Sequence, residues 1–296
     1  MTAKQSSTKK SASRKRRSAV PNPSTRHASS QRTDKNLDKP APAALRYFFY
    51  IGLIALILLT LFVIPGIFDA KFAHYQAIYP QLANVSVTSM SGFCNSYYSK
   101  NTSPIGNAAS ALCGSYTSAL ANSSIALSLI FPFIVFAYLM LKGKGLKRII
   151  SELGLSKKKL TYQYVAIGVL LFFLFFGIEF LMGAIETLTH VYISSNVTEY
   201  LSNLPFYFYV FVFLVAPIDE EILFRGFMVP RLGIVLSAVI FGVLHYVSYF
   251  SYIELIAAFA FGLAAGYIFK KTNSLYPSIV GHMLFDFSTI FLLFFL

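Results

Sequence analysis

The chain has 296 residues, of which 56% are hydrophobic and only 12% are charged. Globular proteins are about one quarter charged, so this composition excludes an ordinary soluble domain. Thirty Phe and nineteen Tyr, with no Trp, suit lipid-facing helices that carry tyrosine at the membrane interfaces. The net charge of +13 is unevenly distributed, because residues 1–40 hold eleven Lys and Arg against two Asp.

The first 42 residues predict a disordered basic tail on the cytoplasmic side of a membrane. They are rich in Ser, Thr, Lys, Arg and Pro and have almost no apolar residues, so they have no means to bury a core. The basic run at 14–17 is of a kind that binds anionic lipid or nucleic acid. A solvated tail that sets membrane topology is the commoner role, and we expect no specific nucleic-acid partner.

The rest of the chain predicts an all-α, polytopic transmembrane helix bundle with about seven spans. A span needs about twenty mostly apolar residues. The qualifying stretches are 46–68, 122–141, 163–186, 205–228, 233–250, 253–269 and 276–296. We therefore divide the chain into the tail at 1–42, two N-terminal spans with an intervening loop at 43–162, and a membrane domain at 163–296.

Basic clusters flank the predicted spans on one side only, at 142–160, near Arg231 and at 270–271. The positive-inside rule then predicts an integral cell-membrane protein with a cytoplasmic N-terminus and an external C-terminus. The loop at 69–121 would lie outside and contains both cysteines, Cys94 and Cys113. A disulfide between them and a pair of free thiols are both open at this stage.

The fourth predicted span contains an unusual group of charges. A charge in the hydrocarbon core costs about 2.5–3.5 kcal/mol on insertion scales, so each one calls for a reason. Glu221 and Arg225 are four residues apart, share a helical face and are expected to form an ion pair. Glu220 points about 100° away from Glu221 and has no basic residue four positions on. A carboxylate placed in this way is suited to act as a general base.

Further ionisable side chains occur in later spans. His245 lies in the fifth span, and His282 and Asp286 lie on one face of the seventh. Two imidazoles, four carboxylates and an arginine, all at membrane depth between Asp219 and Asp286, are unlike a set of unrelated packing residues. They predict one shared functional site.

These residues resemble the motifs of the CAAX prenyl protease and bacteriocin-processing (CPBP, or Abi) family, which is related to the type II CAAX prenyl endopeptidase. The family pattern is a Glu pair followed by Arg, then Phe-x-x-x-His, then His-x-x-x-Asn or His-x-x-x-Asp. The matching segments, in the same order, are Glu220-Glu221-x-x-x-Arg225, Phe241-x-x-x-His245 and His282-x-x-x-Asp286. The resemblance extends over about residues 163–296 and implies that this region is the catalytic domain of an intramembrane endopeptidase.

The resemblance also implies a role for each residue. Glu220, held with His245, would activate a water molecule, while Glu221 and Arg225 would form a structural ion pair. His282 and Asp286 would stabilise the tetrahedral oxyanion, for which Asp286 must carry a proton. An ionised Asp286 would instead orient His282 through its other ring nitrogen.

The position of Asp286 also bears on the substrate. A prenyl protease proper more often has Asn there, so both lipidated and unlipidated hydrophobic peptides are open as substrates.

The same side chains are compatible with a zinc site. Two His and one carboxylate, with water in the fourth position, form a common catalytic zinc set. His245 and His282 would be ligands, with Asp286 or Glu220 as the third. The chain has no His-Glu-x-x-His segment. Zinc-dependent and metal-independent hydrolysis therefore both remain possible at this stage.

Two other functions compete with peptide-bond hydrolysis, namely a transporter that relays protons through carboxylates and a non-catalytic immunity or scaffold protein. Internal repeats would favour transport, and the sequence has none that we detect. For the enzyme, we expect a polar cavity that opens at the cytoplasmic, basic side. Glu179 and Glu186 of the third span are expected to line that cavity, with Glu186 at the interface as the alternative. Glu254 is expected at the interface, and Gly262 and Gly266 are expected to allow close helix packing. The sequence does not determine the oligomeric state.

Overall fold

The structure is a computed structural model that describes residues 39–82, 84–100, 106–190 and 203–295. The predicted tail lies outside these residues, except for positions 39–42. The first helix begins at Ala43, directly after Pro42. Proline fits this boundary because it has no backbone N–H to donate and favours an extended residue before it. The described residues from Pro40 onward form one compact unit.

The described residues form helices and no strands, which confirms the all-α class. We number the α-helices in chain order: α1 Ala43–Leu58, α2 Ile64–Ile78, α3 Met90–Lys100, α4 Gly106–Leu141, α5 Leu146–Glu152, α6 Tyr162–Thr189, α7 Phe206–Leu214, α8 Ala216–Glu221, α9 Val229–Leu232, α10 Ile234–Tyr249, α11 Tyr252–Thr272 and α12 Tyr276–Phe295. Two π-helical segments, Leu59–Val63 and Ile222–Met228, join α1 to α2 and α8 to α9.

Five helical stretches of the described chain are long and apolar enough to cross a membrane. They are Ala43–Ile78, Ala109–Leu141, Tyr162–Thr189, Tyr252–Thr272 and Tyr276–Phe295. The other two predicted spans differ for physical reasons. With 16 residues, α10 is about 24 Å long at 1.5 Å per residue, shorter than a hydrocarbon core of about 30 Å. The predicted fourth span is divided into α7, α8 and a π-helical segment, and the short helix α9 follows it. The protein is therefore a polytopic integral membrane bundle with a broken helix at its centre.

One end of the bundle carries the basic loops. We call it the basic end and define it as residues 142–160, 229–233 and 270–276. Glu152 forms ion pairs with Lys144 and Arg231 there, and the Tyr276 hydroxyl donates to the carbonyl of Leu155 at 3.0 Å. Burial raises the pKa of Glu152, but the hydrogen bonds and charges of Lys144 and Arg231 outweigh it and hold that pKa below its usual value.

The opposite end carries a disulfide. We call it the cystine end and define it as residues 109–122, 203–209, 249–254 and 287–295. Cys94 of α3 and Cys113 of α4 are joined, with their Cα atoms 5.5 Å apart. The bond is packed in a buried apolar cluster that includes Phe68, Leu82 and Met90. This structure answers the question that the sequence left open in favour of the disulfide.

Small residues allow the helices of the C-terminal half to approach closely. A Cβ atom added to Gly262 of α11 would lie 2.9 Å from Cβ of Ala238 on α10, and one on Gly266 would lie 2.9 Å from the side chain of Ile234. The predicted role of these two glycines in packing is confirmed, and the packing is within the chain. Gly168 similarly brings α6 against α12, so that the α10–α11 hairpin, α6 and α12 can surround one site.

Candidate active site

The two adjacent acids, Glu220 and Glu221, lie where an α-helix changes to a wider π-helical turn. Helix α8 ends at Glu221, and the π-helical segment Ile222–Met228 follows at once. Such segments occur frequently at functional sites, because the extra residue shifts the side chains that follow. The Ser237 hydroxyl on α10 donates to the Phe224 carbonyl at 2.8 Å and satisfies a backbone group within the segment.

Glu221 and Arg225 form the ion pair that their spacing predicts. Arg225 Nη1 lies 2.8 Å from Glu221 Oε1, and the two side chains are 1% and 0% exposed. The guanidinium carbon also lies 4.2 Å from the ring centroid of Phe241 and 5.1 Å from that of Phe261. The carboxylate and the two aromatic faces offset part of the cost of the buried positive charge, while Arg225 Nη2 and Glu221 Oε2 have no hydrogen-bond partner among the described residues.

His282 of α12 connects the ion pair to the remaining acids. Its Nδ1 lies 3.2 Å from Glu221 Oε1, and its Nε2 lies 3.8 Å from both Glu220 Oε2 and Asp286 Oδ1. An ionised Asp286 is expected to orient the imidazole through its other ring nitrogen. The structure places Glu221 at Nδ1 instead and puts Asp286 on the same nitrogen as Glu220. Helix spacing brings Asp286 near His282 but does not determine which ring nitrogen it faces.

Glu220 Oε2 is a buried acceptor with no hydrogen-bond partner among the described residues. Leaving a buried polar group unsatisfied costs about 1–3 kcal/mol, so this atom calls for a hydrogen-bonding group from water or a substrate. Two atoms 3.8 Å apart, as His282 Nε2 and Glu220 Oε2 are, can both lie within about 2.8 Å of one water oxygen. The geometry therefore suits a water molecule held between the imidazole and the carboxylate.

His245 reaches the site from α10. Its Nδ1 lies 3.0 Å from the carbonyl of Phe241, one helical turn earlier. A carbonyl only accepts, so Nδ1 carries the hydrogen, and Nε2 of the neutral ring is left as an acceptor. Within the described residues, no hydrogen bond or ion pair joins His245 to Glu220. The expected partnership of these two residues is thus not a direct contact in the structure, and it remains a proposal that requires a bridging molecule.

A cavity of about 490 Å³ adjoins the two imidazoles. The ionisable side chains in its lining are Glu179, His245, Tyr249, Glu254, His282 and Asp286, and its other walls are mainly aromatic and aliphatic. The expectation that Glu179 lines the cavity is confirmed, and Glu254, which we expected at the interface, also lines it. Glu220 and Glu221 are not in the lining. Both carboxylates lie close to the His282 ring, which does line the cavity.

The cavity extends from His282 towards the cystine end. Its lining continues along α12 from His282 to Leu293, about 16 Å at the helical rise, and it includes Tyr249 and Glu254 at the α10–α11 turn. None of its lining residues belongs to the basic end. We expected an opening on the side of the basic clusters. The lining residues lie beyond His282, which is six residues from the start of α12, and the side on which the cavity opens stays a prediction.

The described residues do not fit the predicted zinc set. They contain no group of three or more His, Cys, Asp or Glu placed to hold a metal ion. Zinc holds nitrogen ligands at about 2.0–2.1 Å, so its ligands must converge on one point. Nδ1 of His245 contacts a backbone carbonyl and Nδ1 of His282 contacts Glu221, which leaves the two Nε2 atoms as the possible ligands, and the described residues place no third ligand with them. The mechanism below therefore uses no metal ion.

Sequence reasoning found the ion pair, both imidazoles and Asp286, but it missed two features of the site. Phe261 lies 5.2 Å from the His282 ring, and its only advance signal was an aromatic residue next to a glycine in an apolar span. The hydroxyl of Ser128 on α4 lies 3.3 Å from Asp219, directly before the acid pair. No sequence pattern predicts a contact between Ser128 and Asp219, because 91 residues separate them in the chain.

The membrane bundle therefore combines a broken helix, buried acids and two imidazoles beside a largely apolar cavity. Residues 202–288 match the family described as Type II CAAX prenyl endopeptidase Rce1-like. This match covers all three motifs and confirms the CPBP/CAAX protease resemblance. Residues 202–288 are therefore similar to the CAAX-type intramembrane proteases. No curated protein and no solved structure matches the chain.

Proposed function

We propose that this protein is an intramembrane endopeptidase that hydrolyses a peptide bond in a membrane-associated hydrophobic peptide, with Glu220 as the general base. The main support is the buried, unpartnered Oε2 atom of Glu220, 3.8 Å from Nε2 of a histidine that lines the cavity. A carboxylate that lacks a partner beside a space for substrate is placed to accept a proton from water.

In the proposed reaction, water between Glu220 and His282 loses a proton to Glu220 and attacks the scissile carbonyl carbon. Nε2 of His245, which also lines the cavity, accepts a hydrogen bond from the second hydrogen of this water. His282, with a hydrogen on each nitrogen, donates one to Glu221 and the other to the developing oxyanion. A protonated Asp286 supplies a second donor. Glu220 then delivers its proton to the leaving amine, which balances the addition of water across the bond.

In this scheme Glu221 and Arg225 do not contact the substrate and instead position His282. Their ion pair fixes the carboxylate, and the carboxylate fixes the orientation of the His282 ring through Nδ1. Glu221 is therefore a positioning residue. Support for this role comes from its complete burial and from its place between a guanidinium and an imidazole.

The apolar walls of the cavity favour a hydrophobic or lipidated peptide as substrate. Phe175, Phe241, Phe261 and Phe285 are among its lining residues. Membrane lipids are the other expected contacts, and we propose no nucleic-acid partner. For the orientation, we propose that the N-terminus and the basic end face the cytoplasm, because positive residues are retained on that side.

The experiment uses the purified full-length protein in detergent. Membrane-anchored C-terminal peptides, with and without a prenyl group, are incubated with it and analysed by mass spectrometry. Glu220→Gln keeps the shape but removes the base, and we expect cleavage to fall by about 10²–10⁴-fold. The matched control is Asp69→Asn, which removes an exposed carboxylate on α2.

Three outcomes are informative. Loss of cleavage in Glu220→Gln, with wild-type expression and an active Asp69→Asn control, supports the enzyme. Cleavage at the wild-type rate in Glu220→Gln would overturn the assignment of the base. Peptide binding without cleavage by the wild-type protein would favour the scaffold or immunity function instead.

A further inference from the structure

We infer that the basic end carries a binding site for the phosphate headgroups of anionic phospholipids, formed where the 3₁₀ turn Lys157–Lys159 meets the turn between α11 and α12. The cations of this site are the exposed side chains of Lys157, Lys158, Lys270 and Lys271. None of them lines the cavity beside His282, so the inference does not depend on the proposed hydrolysis.

The first support is the positive charge that the basic end leaves uncompensated. Its three segments hold ten Lys and Arg and a single acid, Glu152. Glu152 is already paired with Lys144 and Arg231. These segments therefore have no acid left to neutralise the four lysines, and a bound anion would relieve the repulsion among them. The segments of the cystine end, by contrast, hold one acid and no Lys or Arg.

The second support is that the fold joins two lysine runs that are far apart in the chain. The Lys159 ammonium donates to the carbonyl of Asn273, 114 residues later. The backbone N–H of Leu275 donates to the Gly154 carbonyl at 3.2 Å and holds the same two segments together. Because Lys270 and Lys271 form the last turn of α11, directly before Asn273, one phosphate can meet cations from both segments.

The third support is the depth of the cations relative to the membrane. Lys271 Nζ lies 5.5 Å from the ring centroid of Tyr267, and Lys142 Nζ lies 5.7 Å from that of Tyr138. The two tyrosines are 57% and 41% exposed and belong to helices that are long enough to span the membrane. Exposed tyrosines of this kind are enriched at the level of the lipid headgroups. Lysines that reach over such rings lie among the lipid phosphates, so the occupant that we propose is a phospholipid.

The test compares lipid binding by the purified full-length protein in an uncharged detergent. Phosphatidylglycerol and phosphatidylcholine with the same acyl chains are titrated separately, and bound lipid is counted by native mass spectrometry. The site variant combines Lys157→Gln, Lys158→Gln, Lys270→Gln and Lys271→Gln. Its charge-matched control combines Arg14→Gln, Lys15→Gln, Arg16→Gln and Arg17→Gln, which removes four cations from the tail. A third variant replaces the four lysines of the site by Arg and keeps their charge.

We expect the wild-type protein to bind phosphatidylglycerol more tightly than phosphatidylcholine. The site variant should bind phosphatidylglycerol about tenfold more weakly than the wild type, because the attraction of four cations is lost. The Arg variant and the tail control should stay within about twofold of the wild type, and phosphatidylcholine binding should be the same in all four proteins. The pair Lys157→Gln and Lys158→Gln, which changes only two exposed side chains of one turn, should weaken phosphatidylglycerol binding by about threefold.

Three results would overturn the inference. The first is equal binding of the two lipids by the wild-type protein, and the second is a loss of phosphatidylglycerol binding in the tail control but not in the site variant. The third is displacement of phosphatidylglycerol by an equal concentration of inorganic phosphate, which would show a site for small anions in place of a lipid site. An unchanged thermal unfolding midpoint of each variant without lipid, followed by circular dichroism, excludes misfolding as the cause of weaker binding.

Discussion

The buried ion pair between Glu221 and Arg225 offers a test of whether the site depends on a charged scaffold. The perturbation is Arg225→Met, which keeps most of the side-chain volume and removes the charge. The two side chains are 0% and 1% exposed, so the variant leaves a carboxylate without its counter-charge. Removing one partner of such a pair costs about 3–5 kcal/mol. Loss of the cation–π contacts of the guanidinium with Phe241 and Phe261 should destabilise the fold by a further amount of at most about 2 kcal/mol.

The assay is equilibrium unfolding in mixed detergent micelles with increasing dodecyl sulfate, followed by circular dichroism. Glu221→Gln should also destabilise, because it leaves Arg225 uncompensated and weakens the contact with His282. The double variant removes both charges, so we expect it to be more stable than the sum of the single effects predicts, by at least about 1 kcal/mol. Glu220→Gln should lose cleavage with little change in stability, which distinguishes the catalytic role of Glu220 from the structural role of the ion pair.

The reasoning would be refuted by either of two results. Single variants within about 1 kcal/mol of the wild type would show that the pair contributes little to the fold. Strictly additive effects in the double variant would show that the two side chains do not interact energetically, in spite of their 2.8 Å separation. Asp69→Asn, an exposed change in the same chemical class, controls for non-specific effects of losing a carboxylate.

Four other predictions follow from the structure. Replacing Cys94 and Cys113 by Ser should destabilise the folded protein by about 2–4 kcal/mol through the freed 19-residue loop, as measured in the same unfolding assay and checked by gel mobility without reductant. Because the folded-state pKa of Glu152 is lowered, its contribution to stability is present above the unfolded value of about 4.5 and is lost as the pH falls through the folded value; the melting temperatures of wild type and Glu152→Gln should therefore differ at pH 7 and converge in acid. Cleavage should persist in excess chelator after divalent ions are stripped, and a loss that zinc restores would contradict the metal-free mechanism. Since Glu179 and Glu254 and no Lys or Arg are among the lining residues of the cavity, a peptide with Glu beside the cut should be cleaved several-fold more slowly than one with Lys, and equal rates would contradict this.

The local features of the site could be predicted from the sequence because they depend on short spacings. An i, i+4 relation sets the Glu221–Arg225 ion pair and the approach of Asp286 to His282 through helix geometry alone. The same rule did not reveal that His282 also contacts Glu221, because 61 residues separate them and their distance depends on how α8 and α12 pack. The interruption of the fourth span by a π-helical segment was likewise absent from the hydropathy pattern, because that pattern records which residues are apolar and not how the backbone turns.

The sequence by itself determined that the protein lies in a membrane, that its basic residues gather at one side, and that acids and imidazoles occur in the order of the CAAX protease motifs. Hydropathy, charge and short spacing carry that information because each depends on residues that are near one another in the chain. Only the tertiary structure decided that one imidazole joins three carboxylates and that the cavity runs towards the disulfide. Those features arise from the depth at which each helix packs against the others, and depth is set by contacts between residues far apart in the chain.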